Sequence, residues 1–167
     1  NPLKKGVLYA SSQGKDFTFI KSGIGAGLSG DAVLRLKDTP CETIIFLGSC
    51  GLTQSEKNWG IGSFLVPECS LNCESFSNML QDKMSDDDYA FPDKELMETF
   101  LATSDRPMRM AKVATLGSIL LEDKYHQWLV DRDIKAVEME TSAVFHAAKE
   151  INRRVIGLLY VTDIIGE

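Results

Sequence analysis

KAVEMETSAVFHA, residues 135–147, reads as a strand that runs straight into a helix. Side chains alternate along a strand, so Glu138 and Glu140 are expected on one face and Val137 and Met139 on the other. From Ala143 onward, Ala143, Val144, Ala147, Ala148 and Ile151 keep the spacing of a helix's buried stripe. Two carboxylates then sit at the carboxyl end of a strand, where a parallel α/β sheet opens its ligand crevice. The other reading is a solvated sheet edge followed by an amphipathic helix, since exposed glutamate is ordinary. On this stretch alone both readings stand.

Working outward, the same alternation of apolar runs and helical spacings recurs. Residues 7–10 and 17–22 are short β-rich runs separated by a polar turn region. Helical spacing follows at Leu28, Ala32, Val33 and Leu36, ending near Asp38-Thr39-Pro40. TIIFL at 43–47 suits a strand covered on both faces, and Gly48-Ser49-Cys50-Gly51 reads as a tight loop at its end. Residues 64–69 read as a strand that Pro67 places at an edge or bulge. Residues 72–93 are polar and read as a long surface loop. Beyond it the pattern predicts a helix at 95–103, a strand at 111–116, a helix at 122–131, the strand at 134–140, and a last buried strand at 155–162. The fold class implied is α/β, a central mixed and mostly parallel sheet flanked by helices, in a single domain over 1–167.

Composition narrows the function. A chain of 167 residues is long enough for a sizeable core. Its net charge of −6 argues against a nucleic-acid partner. No apolar run is long enough for a bilayer, so no membrane association is expected. Cys41, Cys50, Cys69 and Cys73 form neither a disulfide framework nor a zinc spacing. Reduced cysteines and a cytoplasmic location are expected, with no metal. The chain starts at Asn1-Pro2 and stops at Gly166-Glu167 without a natural boundary, so flanking sequence is expected on both sides.

GAGLSG at 25–30 matches G-x-G-x-x-G between a predicted strand and a helix. Such a loop holds a dinucleotide pyrophosphate on backbone N–H groups at a helix start. The pattern also asks for an acidic residue about 20 positions on, for the ribose. That count lands on Gly48-Ser49-Cys50-Gly51, without a carboxylate. A dinucleotide-binding oxidoreductase is therefore the remote alternative, and no cofactor is expected. His126 and His146 are the only histidines, and both are read as structural.

Four pieces in order carry a resemblance: Lys21-Ser22-Gly23-Ile24-Gly25, Gly48-Ser49-Cys50-Gly51, Val137-Glu138-Met139-Glu140 and Val161-Thr162-Asp163. Together they resemble the nucleoside phosphorylase family, which includes purine nucleoside and uridine phosphorylases and methylthioadenosine/adenosylhomocysteine nucleosidase. The resemblance implies that Glu140 grips the ribose hydroxyls, Met139 packs under the sugar and Glu138 supports the same pocket. It implies that Asp163 is the general acid at the departing purine. Ile24 and Gly25 would line the sugar, and Ser49, with Cys50 and Gly51, would hold water or phosphate. Leu120 and Leu121 stand where the family's base-stacking aromatic is placed. The resemblance also implies a homo-oligomer, for which the 72–93 loop with Phe76, Met79 and Phe91 is a candidate donor.

These residue types suit the reaction. Breaking an N-glycosidic bond passes through a cation-like sugar, which fixed carboxylates stabilise. A carboxyl that protonates the base must hold its proton near neutral pH, and burial of Asp163 would achieve that. Two departures bear on the nucleophile. Phe46 occupies the place of a phosphate-binding arginine, and Leu159 that of an arginine of the nucleosidases. The expectation is cleavage of a purine nucleoside by water, with phosphorolysis or binding without catalysis as the alternatives.

Overall fold

The computed structural model describes residues 4–6 and 8–167, so Val7 of the expected 7–10 strand lies outside the described residues. A small antiparallel sheet comes first, made of β1 (Lys4–Lys5), β2 (Ala10–Gln13) and β3 (Thr18–Lys21). β2 takes up the first residues of the expected turn region, and the chain reverses in the rest of it, from Gly14, whose N–H donates to Phe17 O. Helix α1 (Ala26–Leu34) follows.

The central sheet has six strands: β4 (Thr43–Leu52), β5 (Phe64–Cys73), β6 (Tyr89–Ala90), β7 (Arg109–Leu116), β8 (Ala136–Glu138) and β9 (Arg154–Ile164). Their order is β6-β5-β7-β8-β4-β9, and a further antiparallel pairing of β5 with β9 closes the sheet partly into a barrel. β4 with β9, β5 with β7, and β7 with β8 are parallel. β4 with β8 is antiparallel, which makes the sheet mixed.

Apolar residues on these strands form a shared core: Cys50, Leu52, Leu65, Val113, Ala136, Leu159 and Val161, with Trp59. Helices cover the rest. α4 (Glu122–Asp131) adds Tyr125 and Leu129 to one cluster. α1 and α5 (Thr141–Glu150) pack with Val33, Val144, Phe145 and Ala148. α3 (Lys94–Thr103) packs Met97 against Val66 and Ile156. TIIFL is not covered on both faces as its continuous apolar run predicted: Ile44 and Phe46 pack inward, whereas Ile45 and Leu47 are 53% and 57% exposed.

Several boundaries differ from the sequence reading, each for a local reason. Residues 48–51 are strand, because β4 stays paired with β9 as far as Ile164, with a bulge between Cys50 and Gly51. Pro67 does mark a bulge, between Pro67 and Cys69, but in an interior strand flanked by β6 and β7. The 72–93 stretch carries a short helix α2 (Phe76–Leu80), capped by the Ser75 side chain, as well as β6. Met79 is fully buried there beneath α4 and cannot be offered to a neighbour, whereas Phe76 and Phe91 are exposed. β8 ends at Glu138, before the expected alternation reaches Glu140. No helix among the described residues is long and apolar enough to cross a membrane.

Candidate active site

A cleft of about 180 Å³ opens where β4, β8 and β9 end. Its walls bring together Ile24, Ser49, Cys50, Gly51, Val137, Glu138, Met139, Glu140, Thr162 and Asp163. Gly25 joins it through a hydrogen bond described below. The four stretches that carried the family resemblance therefore meet at one place, although they are spread over the chain.

Glu138 is the innermost carboxyl. One oxygen, Oε2, accepts the N–H groups of Glu140 and Thr141, each at 2.7 Å. The other, Oε1, accepts the Thr115 hydroxyl at 2.5 Å. Thr115 Oγ1 in turn accepts the Ser142 N–H and lies 2.9 Å from Ser70 Oγ. Glu138 therefore satisfies the first turn of α5, whose N–H groups have no partner inside the helix. Turning the chain this way is also why the strand stops. Burial pushes the Glu138 carboxyl up to about 7, while Thr115 and the two backbone N–H groups pull it down.

Glu140 follows as the residue that starts α5, half-buried, with its carboxylate turned into the cleft wall. The Gly25 N–H donates to its Oε1, tying the glycine loop to VEMET. Gly25 is the residue before α1 and has φ 102°, ψ 148°, a conformation that belongs to glycine. The G-x-G-x-x-G loop thus spends a helix-start N–H on a carboxylate of its own chain.

Asp163 lies over Gly51 so closely that a Cβ built on Gly51 would come within 2.6 Å of its Oδ2. Thr162 donates to Asp163 Oδ1 at 2.7 Å and also reaches Cys50 O. The burial expected around Asp163 is found at Glu138 instead, and Asp163 itself is exposed. Cys50 lines the same wall with its thiol against Tyr160 O, and burial pushes that thiol up to about 12, where it stays protonated.

The base-stacking expectation needs correction. Leu120 is 95% exposed, and Leu121 packs into the α4 cluster, so neither lines the cleft. Ile119 does, together with Leu116. The sequence reading also missed Thr162 and Glu122. Glu122, the first residue of α4, could have been found by the rule that carboxyl ends of strands carry the site, since it follows β7 closely. Burial first, then the charges of Asp163 and Asp123, raise the Glu122 carboxyl above its ordinary range. His126 lies outside this wall, with its ring nitrogen 2.6 Å from Thr53 O. Phe46 and Leu159 close over Gly48, where a Cβ would come within 3.1 Å of both side chains. Among the described residues the lining holds four carboxyls and no lysine, arginine or histidine.

Comparison with known proteins bears on the family and the fold. The family model of the phosphorylase superfamily matches residues 2–167. A DeoD-type purine nucleoside phosphorylase from Colwellia psychrerythraea is 26% identical over 162 residues, which is 90% of this chain and 65% of that protein. The chain spans just under two thirds of the length of this relative. Among solved structures, a uridine phosphorylase from Vibrio fischeri superposes with a TM-score of 0.80 at 23% identity, covering 99% of this chain and 70% of that one. An AMP nucleosidase from Bacteroides thetaiotaomicron gives a TM-score of 0.79 at 18% identity, covering 96% and 69%. At these identities the structural likenesses show the fold.

Proposed function

The chain belongs to the phosphorylase superfamily, and on that premise we propose that it is an enzyme cleaving the N-glycosidic bond of a purine nucleoside, with water as the nucleophile. The convergence of Glu138, Met139, Glu140, Ser49 and Asp163 on one cleft supports the reading. In this reading Glu140 holds the ribose hydroxyls and Met139 packs beneath the sugar. Ser49, with the Cys50 and Gly51 backbone, orients the water. As the bond from C1′ to N9 breaks, its electron pair leaves with the base, and Asp163, exposed in the cleft until the bound base covers it, delivers a proton to N7. Water adds to C1′ and its proton restores the carboxyl. Carboxylates near the ribose stabilise the positive charge that develops on the sugar. General acid assistance of this kind is worth about 10²–10⁴-fold.

Water is favoured over phosphate by the lining itself. Phosphate carries close to two negative charges, and placing it among four carboxyls with no cation is costly. An arginine at the positions of Phe46 or Leu159 would have changed that, but both side chains pack into apolar clusters.

The test is release of free base from adenosine, inosine and guanosine, with and without phosphate. Turnover without phosphate, abolished by Asp163→Asn and by Glu140→Gln, is expected. Strict dependence on phosphate would establish phosphorolysis instead, and absence of turnover with every nucleoside would leave a binding protein. Thermal stabilisation by NAD alone would return the dinucleotide reading.

We also infer a cytoplasmic homo-oligomer, with exposed Phe76 and Phe91 as the side chains offered to a neighbour. Light scattering at micromolar concentration should give a mass above that of one chain.

A further inference from the structure

Glu122 is the carboxyl of the cleft that the proposed reaction leaves without a task. It stands at the start of α4, directly after the 119–121 turn, on a wall shared with Asp163. It is partly buried, and among the described residues no hydrogen-bond donor or cation partners it. The cation two residues on, Lys124, is drawn to Asp82 Oδ1 at 2.8 Å. The other titratable groups around Glu122 are the carboxyls of Asp123 on its own helix, Asp163 on β9, Glu138 on β8 and Glu140 at the start of α5, with the protonated Cys50 thiol on β4. Glu138 is committed to Thr115 and the α5 N–H groups, and Glu140 accepts from Gly25. With Glu140 given to the ribose, Glu122 and Asp163, whose Oδ1 already accepts from Thr162, are the two carboxyls left for the base.

Burial first, then the charges of Asp163 and Asp123, favour the protonated form of Glu122, which donates where an Asp163 oxygen on the same wall accepts. Such a pair presents one hydrogen-bond donor beside one acceptor. A 6-aminopurine presents the complement along a single edge, where N7 accepts and the amino group on C6 donates. A 6-oxopurine presents two acceptors there, N7 and O6, and would set O6 against an accepting carboxyl oxygen.

Resting on the reading of this cleft as a purine nucleoside site, we propose that Glu122 and Asp163 together read the N7/C6 edge of a 6-aminopurine. One carboxyl donates to N7 and the other accepts from the exocyclic amino group. Glu122 is then a specificity-determining residue, and the proton held by the pair is the one that N7 takes when the bond from C1′ to N9 breaks.

Free bases test this without turnover. Adenine, hypoxanthine, unsubstituted purine and 7-deazaadenine are titrated into the native chain and Glu122→Gln by calorimetry. Native protein should bind adenine about tenfold or more tightly than hypoxanthine, which a single charged hydrogen bond suffices to produce. Purine lacks the amino group and 7-deazaadenine lacks the N7 acceptor, so each should lose a similar factor. In Glu122→Gln the side-chain amide donates to O6, so the ratio of adenine to hypoxanthine should shrink about tenfold. Equal affinity of native protein for adenine and hypoxanthine overturns the proposal, as does an unchanged ratio in a folded Glu122→Gln, or no binding of any base. Should that variant fail to fold, the four bases on native protein decide alone. Loss of nucleoside turnover with the adenine preference intact would defeat the cleavage reading and leave this one standing.

Discussion

The backbone N–H of Gly25 donates to Glu140 Oε1 at 2.5 Å, across 115 positions of sequence. The hydrogen bond joins the start of α1 to the start of α5 and holds one carboxylate oxygen of the ribose-binding candidate in place. Gly25 reaches this geometry only at φ 102°, ψ 148°. Gly25→Ala should therefore cost about 1–3 kcal/mol of stability. It should weaken nucleoside binding as well, because Glu140 loses its fixed partner. Urea denaturation and ligand titration report the two effects separately, and an unaltered denaturation midpoint would show that the conformation carries no strain.

Gly51 has a different reason to be glycine. Its backbone is ordinary strand, but Asp163 Oδ2 occupies the place where a Cβ would stand. Gly51→Ala should displace the Asp163 carboxyl by a fraction of an ångström or more. Misplacement on the 1 Å scale costs about 10²-fold in rate. The variant should keep its fold, since the strand conformation suits alanine. Base release that persists at the native rate would remove Asp163 from the reaction.

Much of this architecture was legible because local pattern and tertiary context agree. The 111–116 and 155–162 runs are apolar and mostly buried, as interior strands of a mixed sheet need. TIIFL was legible as a strand but leaves Ile45 and Leu47 exposed on one face. VEMET, Ser49 and Asp163 were legible through the family resemblance. What was not legible depended on distant partners. Gly48 to Gly51 look like a turn until β9 supplies a ladder, which small residues do not advertise. The Glu138/Glu140 alternation fails because the Glu138 carboxylate caps α5, an interaction made after the chain has turned. Glu122 beside Asp123 and Lys124 looks like the solvated start of a helix, and its position soon after β7 was the one local sign of the cleft it shares with Asp163, 41 positions later.

Ile119 and Leu120 offer a direct comparison between neighbours. Ile119 lines the cleft beside Leu116, whereas Leu120 is turned to solvent. Ile119→Ala should weaken base binding several-fold, about 1 kcal/mol of apolar contact for a side chain that is 58% exposed. Leu120→Ala should change both stability and binding by no more than about 0.5 kcal/mol. The paired titration decides which residue flanks the base, and the reverse order of effects would contradict the placement.

Thiol reactivity provides a check that needs no substrate. All four cysteines are free, but only Cys41 has solvent contact beyond a trace. Burial pushes the Cys50 and Cys73 thiols up to about 12 and the Cys69 thiol up to about 11. The thiolate is the reactive form, so those three should resist alkylation in the folded protein. Iodoacetamide at pH 8 followed by mass mapping should label Cys41 first and the others only after denaturation. Rapid labelling of Cys50 in native protein would mean that the β4 end of the cleft opens in solution.

Glu138 gives the sharpest dependence on pH. Its carboxyl rises from 4.5 in an unfolded chain to about 7 in the fold, chiefly through burial. A raised value means that the folded state binds the proton more tightly than the unfolded one. Its contribution to stability is thus fully present below pH 4.5 and is lost as the pH rises through about 7. The shift corresponds to roughly 3 kcal/mol over that window. Glutamine mimics the neutral form: its carbonyl oxygen accepts the Glu140 and Thr141 N–H groups, and its amide donates to Thr115 Oγ1. Glu138→Gln should match the native protein near pH 4.5 and exceed its stability above pH 7. Parallel denaturation curves from pH 4.5 to 8 supply the difference. If the native protein instead gained on the variant as the pH rose, Glu138 would be ionised in the fold, with its charge held by the α5 N–H groups.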